Sequence, residues 1–480
     1  MPSISKLLNP LAWFGTEPPR DDVFCLGGVP ITEHEMYSHL LFLGAAGAGK
    51  TSLARMLRRW LFKRGCGAVI LGGKVTDADE AIEDAARAGR LECVRVIEAG
   101  GRYRMNLLSH LLTRQGGGPE SAEQFVSLLT HVGEDPQERR GGEEFWEAGK
   151  RERSLKTFAA LQLGLPRATF VDAYEFLTGK PSSIRRSKAG MYGETFAVVM
   201  DSLLKNGTQE SADLIDYWFK KAPLVPSKTA QGFDQGALNI WSLLTTKLMR
   251  SLYCAPDANF CPELAVRDGN IVVFRHPVLR DGRAGCVAQA AGAVAMQQAR
   301  LRIKGSEAPP LLVFADDAQL TATSLDPMIA QLGRASMCIR LSVFQDLETA
   351  SVAFGKGDIG KQVALSYLNQ FATKIATQTS SRDTAEWLSG MIGNHRAVMC
   401  GGGGGFDPRQ RPASMLDAAL GSMPMNGNWH EQITPLFPAE RFFTLQRGGR
   451  PAFKIGAVIL KGGGYPDGSR FKNVLIDQEL

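Results

Sequence analysis

One segment of eight residues constrains this chain more than any other. Residues 44–51 read Gly-Ala-Ala-Gly-Ala-Gly-Lys-Thr and complete a GxxxxGK[ST] phosphate loop. The apolar run Leu40–Leu43 precedes the loop, and a helical pattern over residues 52–61 follows it. In this context the backbone N–H groups of the loop can wrap phosphates, and the helix N-terminus adds a favourable dipole. The segment predicts a site for a nucleoside triphosphate, ATP; the alternative is an ordinary glycine turn at a helix start.

The residues predicted to bind the nucleotide are consecutive in the chain. They are Gly44, Ala45, Ala46, Gly47, Ala48, Gly49, Lys50, Thr51 and Ser52. We expect Lys50 to pair with the β- and γ-phosphates and to be a catalytic residue. We expect the Thr51 hydroxyl to bind Mg²⁺.

A phosphate loop also needs an acidic element that holds Mg²⁺ and orients water. The apolar run of residues 311–315 ends in Asp316 and Asp317, which are therefore predicted catalytic residues. Asp316 is predicted to complete the magnesium site with Thr51. Asp317 stands at the position where many such ATPases have a Glu that polarises the attacking water. An Asp side chain is one methylene shorter than that of Glu. The alternative is a solvated Asp-Asp turn after a strand.

Two more polar residues flank the next apolar run, residues 339–344. Gln345 ends this predicted strand, where it would stand beside the γ-phosphate and distinguish ATP from ADP. Arg334 precedes the strand and is not positioned to reach its own nucleotide, but in a ring it could act on the neighbour's nucleotide as an arginine finger. Both are predicted catalytic residues; a surface Arg and a strand-capping Gln are the ordinary alternatives.

The rest of the chain alternates short Val- and Ile-rich runs with helical stretches, which is typical of a parallel sheet buried on both faces. This predicts an α/β fold with a mainly parallel, doubly wound central sheet that carries the phosphate loop. From residue 107 to 262 the alternation gives way to helical patterning, including predicted helices over residues 145–163, 211–221 and 238–252. We therefore predict an N-terminal extension over 1–24, a nucleotide-binding domain over 25–106 and 263–480, and an inserted all-α domain over 107–262. The glycine run 401–405 is predicted to be an exposed loop.

Composition excludes several classes of protein. Hydrophobic content of 44% and charged content of 22% describe a globular chain, and no stretch reaches the roughly 18 apolar residues of a membrane span. The N-terminus lacks a signal-peptide pattern, so we expect a cytoplasmic protein with no integral membrane segment. The eight cysteines show no CxxC spacing, which disfavours a zinc site. A net charge of +6 permits contact with nucleic acid but does not argue for it.

The order of these motifs resembles the type IV secretion coupling proteins, the TraD/TraG group of RecA-like motor ATPases. The resemblance runs from about residue 25 to 465, and the combination of its motifs is specific although each motif alone is weak. Besides the phosphate loop, Asp316-Asp317, Arg334 and Gln345, the segments that carry it are 38–41, 103–108, Phe145-Trp146, Asn369, 384–389, Gly393 and 435–445.

The resemblance implies a RecA-like P-loop NTPase fold. It also implies a motor that forms a ring, expected to be a hexamer, and moves DNA or a relaxase–DNA complex to a conjugation apparatus. It also implies a secretion-channel or membrane-anchor protein as a partner. Three features depart from the family pattern. Only about 40 residues precede the phosphate loop, the family's Asp-Pro-Lys-Gly reads Gly72-Gly73-Lys74-Val75, and Asp317 replaces Glu.

Two other functions remain open at this stage. One is a nucleotide-binding adaptor for protein cargo with weak hydrolysis, which the last two departures favour. The other is a DNA translocase of the FtsK/HerA type, which the inserted helical block disfavours. Basic residues in the helical block are interleaved with Glu in 143–156, which fits a solvated face, whereas the segment 182–188 is the better candidate for contact with nucleic acid.

Overall fold

The computed structural model describes residues 23–133, 144–180, 193–322, 326–333, 336–355, 357–403 and 426–478. Within these ranges the largest sheet has nine strands in the order β13-β12-β9-β3-β8-β7-β4-β6-β5. The strands from β9 to β5 are mutually parallel, and β12 and β13 continue the sheet antiparallel at one edge. The strand bounds are β3 Leu40–Leu43, β4 Gly67–Leu71, β5 Val94–Ile97, β6 Ile271–Phe274, β7 Leu311–Ala315, β8 Cys338–Phe344, β9 Thr373–Ala376, β12 Lys454–Lys461 and β13 Phe471–Asp477.

The central strands are buried on both faces, as their apolar runs predict. In β3, Leu40 and Phe42 pack on one face of the sheet, whereas Leu41 and Leu43 pack on the other, because successive side chains of a strand point to opposite sides. Helices α2 (Lys50–Lys63) and α3 (Val75–Arg87) cover the first face. Helices α13 (Val278–Arg302), α14 (Asp326–Gly333), α15 (Leu347–Phe354), α16 (Gly357–Asn369) and α17 (Arg382–Ile392) pack on the second. The predicted α/β class is confirmed.

Between β5 and β6 the regular structure of the described residues is helical, apart from one isolated bridge between Asn106 and Cys254. The helices are α4 Leu107–Thr113, α5 Pro119–Gly133, α6 Glu144–Gly164, α7 Phe170–Gly179, α8 Glu194–Asn206, α9 Gln209–Asp216, α10 Ser227–Leu244, α11 Lys247–Tyr253 and α12 Pro262–Arg267. Their apolar side chains join the core on the second face of the sheet. The boundaries of an inserted domain stay a prediction.

Two predictions of local structure are wrong. The single helix expected over residues 238–252 is divided, because the Thr246 hydroxyl accepts a hydrogen bond from the Met249 N–H and starts a new helix, α11. The glycine run is not wholly a loop: Gly401–Gly403 end strand β10 (Asn394–Gly403) and pair with β11 (Asn426–Pro435). Backbone pairing with β11 overrides the low strand propensity of glycine. Gly404 and Gly405 lie outside the described residues.

The remaining elements are small. Strands β1 (Phe24–Leu26) and β2 (Val29–Ile31) form a hairpin, helix α1 spans Glu33–Met36, and helix α18 spans Glu440–Phe443. None of the helices in the described ranges combines the length and the hydropathy that spanning a lipid bilayer requires.

Candidate functional site

The phosphate loop lies at the carboxyl edge of β3, in the centre of the sheet. Its first two residues are held by the neighbouring strands: the Gly44 N–H donates to the Gln345 carbonyl (3.2 Å) and the Ala45 N–H donates to the Gln378 carbonyl (2.7 Å). Gly49 has φ = 89°, and a Cβ at this position would lie 2.4 Å from Ile455 Cδ1. Glycine is therefore required at residue 49 both by its backbone conformation and by the side chain above it.

Lys50 is the first residue of α2, and its ammonium group folds back over the loop. Lys50 Nζ donates to the Ala45 carbonyl oxygen at 2.8 Å, and the side chain is buried. Burial lowers the pKa of Lys50, and the nearby carboxylates Asp316 and Asp317 oppose this shift. A phosphate in the loop would give this cation a stronger acceptor than the carbonyl.

Thr51 and Asp316 meet directly, although 265 residues separate them in the chain. Thr51 Oγ1 donates to the two carboxylate oxygens of Asp316 at 3.1 and 3.3 Å. Asp316 is 4% exposed, and burial, together with the charges of Asp317 and Asp77, raises the pKa of its carboxyl group. Hydroxyl and carboxylate oxygens are hard donors, and the negative charge here is only partly compensated, so these residues fit Mg²⁺.

Asp317 is positioned by three polar side chains, those of Lys74, Gln345 and Gln319, and Gln319 Nε2 lies 3.4 Å from Oδ1 of Asp317. Lys74 Nζ lies 3.7 Å from one carboxylate oxygen, and Gln345 Nε2 lies 3.4 Å from the other. Burial alone would lower the pKa of Lys74, but Asp316, Asp317 and other carboxylates outweigh it and raise that pKa. Asp317 itself adopts a left-handed conformation, with φ = 48°. The residue expected to orient water is thus held between a cation and two amides.

The segment before Lys74 is held by a buried glutamine of α13. Gln289 Oε1 accepts from the Gly72 N–H (2.8 Å), and Gln289 Nε2 donates to the carbonyls of Gly72 (2.8 Å) and His276 (2.6 Å). A Cβ at Gly72 would lie 2.4 Å from Asp77 Cβ. The Gly72-Gly73 sequence, which departs from the family pattern, therefore fits this structure and still directs Lys74 toward Asp317.

These groups surround a cavity of about 390 Å³. Its lining residues are Ala46, Gly47, Gly49, Lys50, Thr51, Ser52, Lys74, Asp316, Asp317, Gln345, Gly448, Gly449 and Gln478. The other three residues of the phosphate loop, Gly44, Ala45 and Ala48, do not line the cavity. The structure brings together Lys50, Thr51, Asp316, Asp317 and Gln345, whereas Arg334 and the segment 182–188 lie outside the described residues.

Four lining residues were missing from the site predicted from sequence. Lys74 had a signal, because it is the one residue of the family's Asp-Pro-Lys-Gly segment that this chain keeps. Gly448, Gly449 and Gln478 had none, because only the order of strands in the sheet brings the C-terminal part of the chain to the phosphate loop.

Comparison with known proteins rests on structure. No family model matches the chain, and no curated protein is similar to it in sequence. The unbound monoclinic form of the bacterial conjugative coupling protein TrwBdeltaN70 matches with a TM-score of 0.65 and 14% identity, over 97% of this chain and 91% of that one. The chain shares the fold of TrwB.

Two further TrwB structures match over the same shares of both chains, each with a TM-score of 0.62 and 14% identity. One is a complex with ADP and Mg²⁺, and the other is a complex with the non-hydrolysable ATP analogue ADPNP. The resemblance to coupling proteins, and with it the RecA-like fold, is thus confirmed at the level of structure.

Proposed function

We propose that this chain is a magnesium-dependent ATPase of the coupling-protein kind. It uses ATP binding and hydrolysis to recruit DNA or a relaxase–DNA complex and to move it to a type IV secretion apparatus for conjugation. The observation that carries the proposal is the contact of Thr51 with Asp316 beside the phosphate loop. The fold shared with TrwB, which has been solved with ADP and Mg²⁺ and with ATP and GTP analogues, supports it.

Each residue of the cavity has a role in this proposal. Lys50 leaves the Ala45 carbonyl and binds phosphate oxygens. Thr51 and Asp316 would hold Mg²⁺, which when bound would supply positive charge beside the phosphates. Asp317 orients the attacking water and accepts its proton. Gln345, within reach of Asp317, senses the γ-phosphate.

The proposed assembly is a ring of six subunits, as the resemblance to the coupling proteins implies. Within it Arg334 of each subunit acts on the nucleotide of its neighbour. The motor works in the cytoplasm and reaches the inner face of the membrane through a secretion-channel or membrane-anchor protein.

The test compares two lysines of the same helix. We expect Lys50→Ala to lower kcat/KM for ATP by about 100-fold or more, because a charged phosphate contact is lost in the transition state. Lys63→Ala is the matched control, because Lys63 is exposed at the other end of α2 and should leave turnover unchanged. Phosphate release is measured with Mg²⁺ or EDTA and with or without DNA. Hydrolysis that persists in Lys50→Ala, or wild-type protein that binds no nucleotide, contradicts the proposal.

One observation favours a second function, an adaptor that binds nucleotide but hydrolyses it slowly. Asp317 has a short side chain, and both of its carboxylate oxygens already lie near Lys74 or Gln345. The same assay separates the two functions. An adaptor would bind Mg²⁺–ATP in a Lys50-dependent way and show no hydrolysis above the Lys50→Ala background, with or without DNA.

A further inference from the structure

The nucleotide cavity has a second wall that comes from the C-terminal part of the chain. Gly448 and Gly449 lie in the loop before β12, and Gln478 follows the last residue of β13. These three residues contribute backbone and one amide side chain. No charged side chain of this wall lines the cavity.

The sheet places this wall and the acidic residues on opposite sides of the phosphate loop. Lys74, Asp316 and Gln345 follow β4, β7 and β8, which lie on one side of β3. Strands β9, β12 and β13 lie on the other side. Because β12 runs antiparallel to β9 and β13 runs antiparallel to β12, the start of β12 and the end of β13 both reach the carboxyl edge of β3.

Gln478 forms hydrogen bonds both to the loop before β12 and to the first turn of α2. Its Oε1 accepts a hydrogen bond from the Gly449 N–H at 2.7 Å, and its Nε2 donates to Ser52 Oγ at 3.0 Å. Ile455 of β12 backs the same region, since it lies directly over both Gly49 and Gly448. A primary amide has two N–H donors and two acceptor lone pairs, so Gln478 keeps one donor and one lone pair for a ligand.

Resting on the proposed function, we infer that Gln478 and the Gly448–Gly449 backbone bind the nucleoside half of ATP, its sugar and base. The β- and γ-phosphates are directed to the other side of the loop, toward Thr51 and Asp316, the residues that would hold a metal ion there. The triphosphate then runs along the loop past Ser52, and the nucleoside emerges against Gln478. The two glycines have no side chains, so their backbone lines the cavity and leaves room for a sugar or base.

The experiment measures binding of ATP, ADP and inorganic tripolyphosphate to the full chain with Mg²⁺ by calorimetry. Gln478→Ala should raise the dissociation constants for ATP and ADP about tenfold, because nucleoside hydrogen bonds are lost. Its affinity for tripolyphosphate should stay within about twofold of the wild type, since tripolyphosphate has no nucleoside. Asn473→Ala removes an exposed amide on β13, the strand that precedes Gln478; it is the matched control and should change neither affinity. If Gln478→Ala does not fold, Gln478→Met keeps the volume and removes the hydrogen bonds.

Two outcomes overturn the inference. One is unchanged ATP affinity in the Gln478 variant. The other is an equal loss of affinity for ATP and for tripolyphosphate, which would mean that Gln478 only supports Ser52 and the phosphate loop. Failure of the proposed function looks different, because wild-type protein would then bind neither ATP nor tripolyphosphate and Lys50→Ala would make no difference.

Discussion

At Asp316 the demands of binding a metal oppose those of stability. The carboxylate is nearly buried, and its pKa is raised by burial and then by the neighbouring charges of Asp317 and Asp77. A carboxyl group with a raised pKa favours its protonated form in the folded protein. An ionised Asp316 therefore destabilises the fold, and this penalty shrinks as the pH falls through the raised pKa and vanishes below the ordinary pKa of the carboxyl group. A buried carboxyl group with a raised pKa is typical of a functional site.

Neutralising Asp316 should stabilise the protein and abolish its activity. Asn at this position still accepts the Thr51 hydrogen bond but carries no charge. We expect Asp316→Asn to raise the free energy of unfolding by about 1 kcal/mol in metal-free protein at pH 7 and to lower ATP turnover at least 100-fold. Urea unfolding and phosphate release measure the two effects, with exposed Asp477→Asn as the control. A variant that is less stable than wild type, or equally active, contradicts this account.

At the scale of elements, one buried histidine, His39, connects the start of β3 to β8 and to α14. His39 precedes β3, its Nδ1 accepts from the Arg340 N–H of β8 (3.2 Å), and its Nε2–H donates to the Ala330 carbonyl of α14 (2.7 Å). This arrangement requires the neutral imidazole. Burial, assisted by the Arg340 guanidinium, lowers the pKa of His39 to about 4 from 6.5. Asp326 at the start of α14 adds a buried ion pair with Arg340 at 2.8 Å.

The stability of this connection should depend on pH. A histidine whose pKa is lowered by folding contributes stability above its unfolded pKa of 6.5, and that contribution is lost as the pH falls toward about 4. Between pH 7 and pH 5 the loss from His39 is about 2 kcal/mol. We expect urea unfolding of His39→Asn to lack this part of the decrease; Asn tolerates the positive φ of 68° at this position. The exposed His395→Asn should behave as wild type, and an identical pH profile for His39→Asn would refute the assignment.

At the scale of the whole molecule, the cavity holds Lys50, Thr51, Asp316, Asp317 and Gln345 within one chain, whereas Arg334 is proposed to come from a neighbour. A ring with one site at each interface makes this proposal testable by mixing two inactive proteins. Lys50→Ala keeps Arg334, and Arg334→Ala keeps an intact cavity. An interface that combines the cavity of an Arg334→Ala subunit with Arg334 of a Lys50→Ala subunit should therefore hydrolyse ATP.

Arg334→Ala alone should bind ATP with wild-type affinity and lose turnover by about 10³-fold or more. In an equal mixture with Lys50→Ala, roughly one quarter of the interfaces combine both intact parts, so measurable turnover should return. Each variant mixed with itself is the control. Turnover of Arg334→Ala equal to wild type at concentrations where rings form, or a mixture no more active than its parts, would show that Arg334 does not act across an interface.

Local sequence was sufficient to predict the parts of the site that depend on one segment. The phosphate loop, the strand ending in Asp316 and Asp317, and the strand ending in Gln345 each combine an apolar run with polar residues directly after it. Parallel strands end at the same edge of a sheet, so these polar residues were expected to converge. The buried β7 and β8, and the contact of Thr51 with Asp316, follow from that pattern.

Other features depended on contacts between distant segments. Gln478 reaches Ser52 because β12 and β13 reverse direction at the edge of the sheet, and a contact between two residues 426 positions apart in the chain leaves no local pattern. Gln289 secures Gly72 through a hydrogen bond across 217 residues. Pairing with β11 likewise turned Gly401–Gly403 into strand. The sequence by itself determined the phosphate end of the site, since its residues adjoin their own strands, while tertiary structure decided the opposite wall, since side chains there meet only after the sheet has formed.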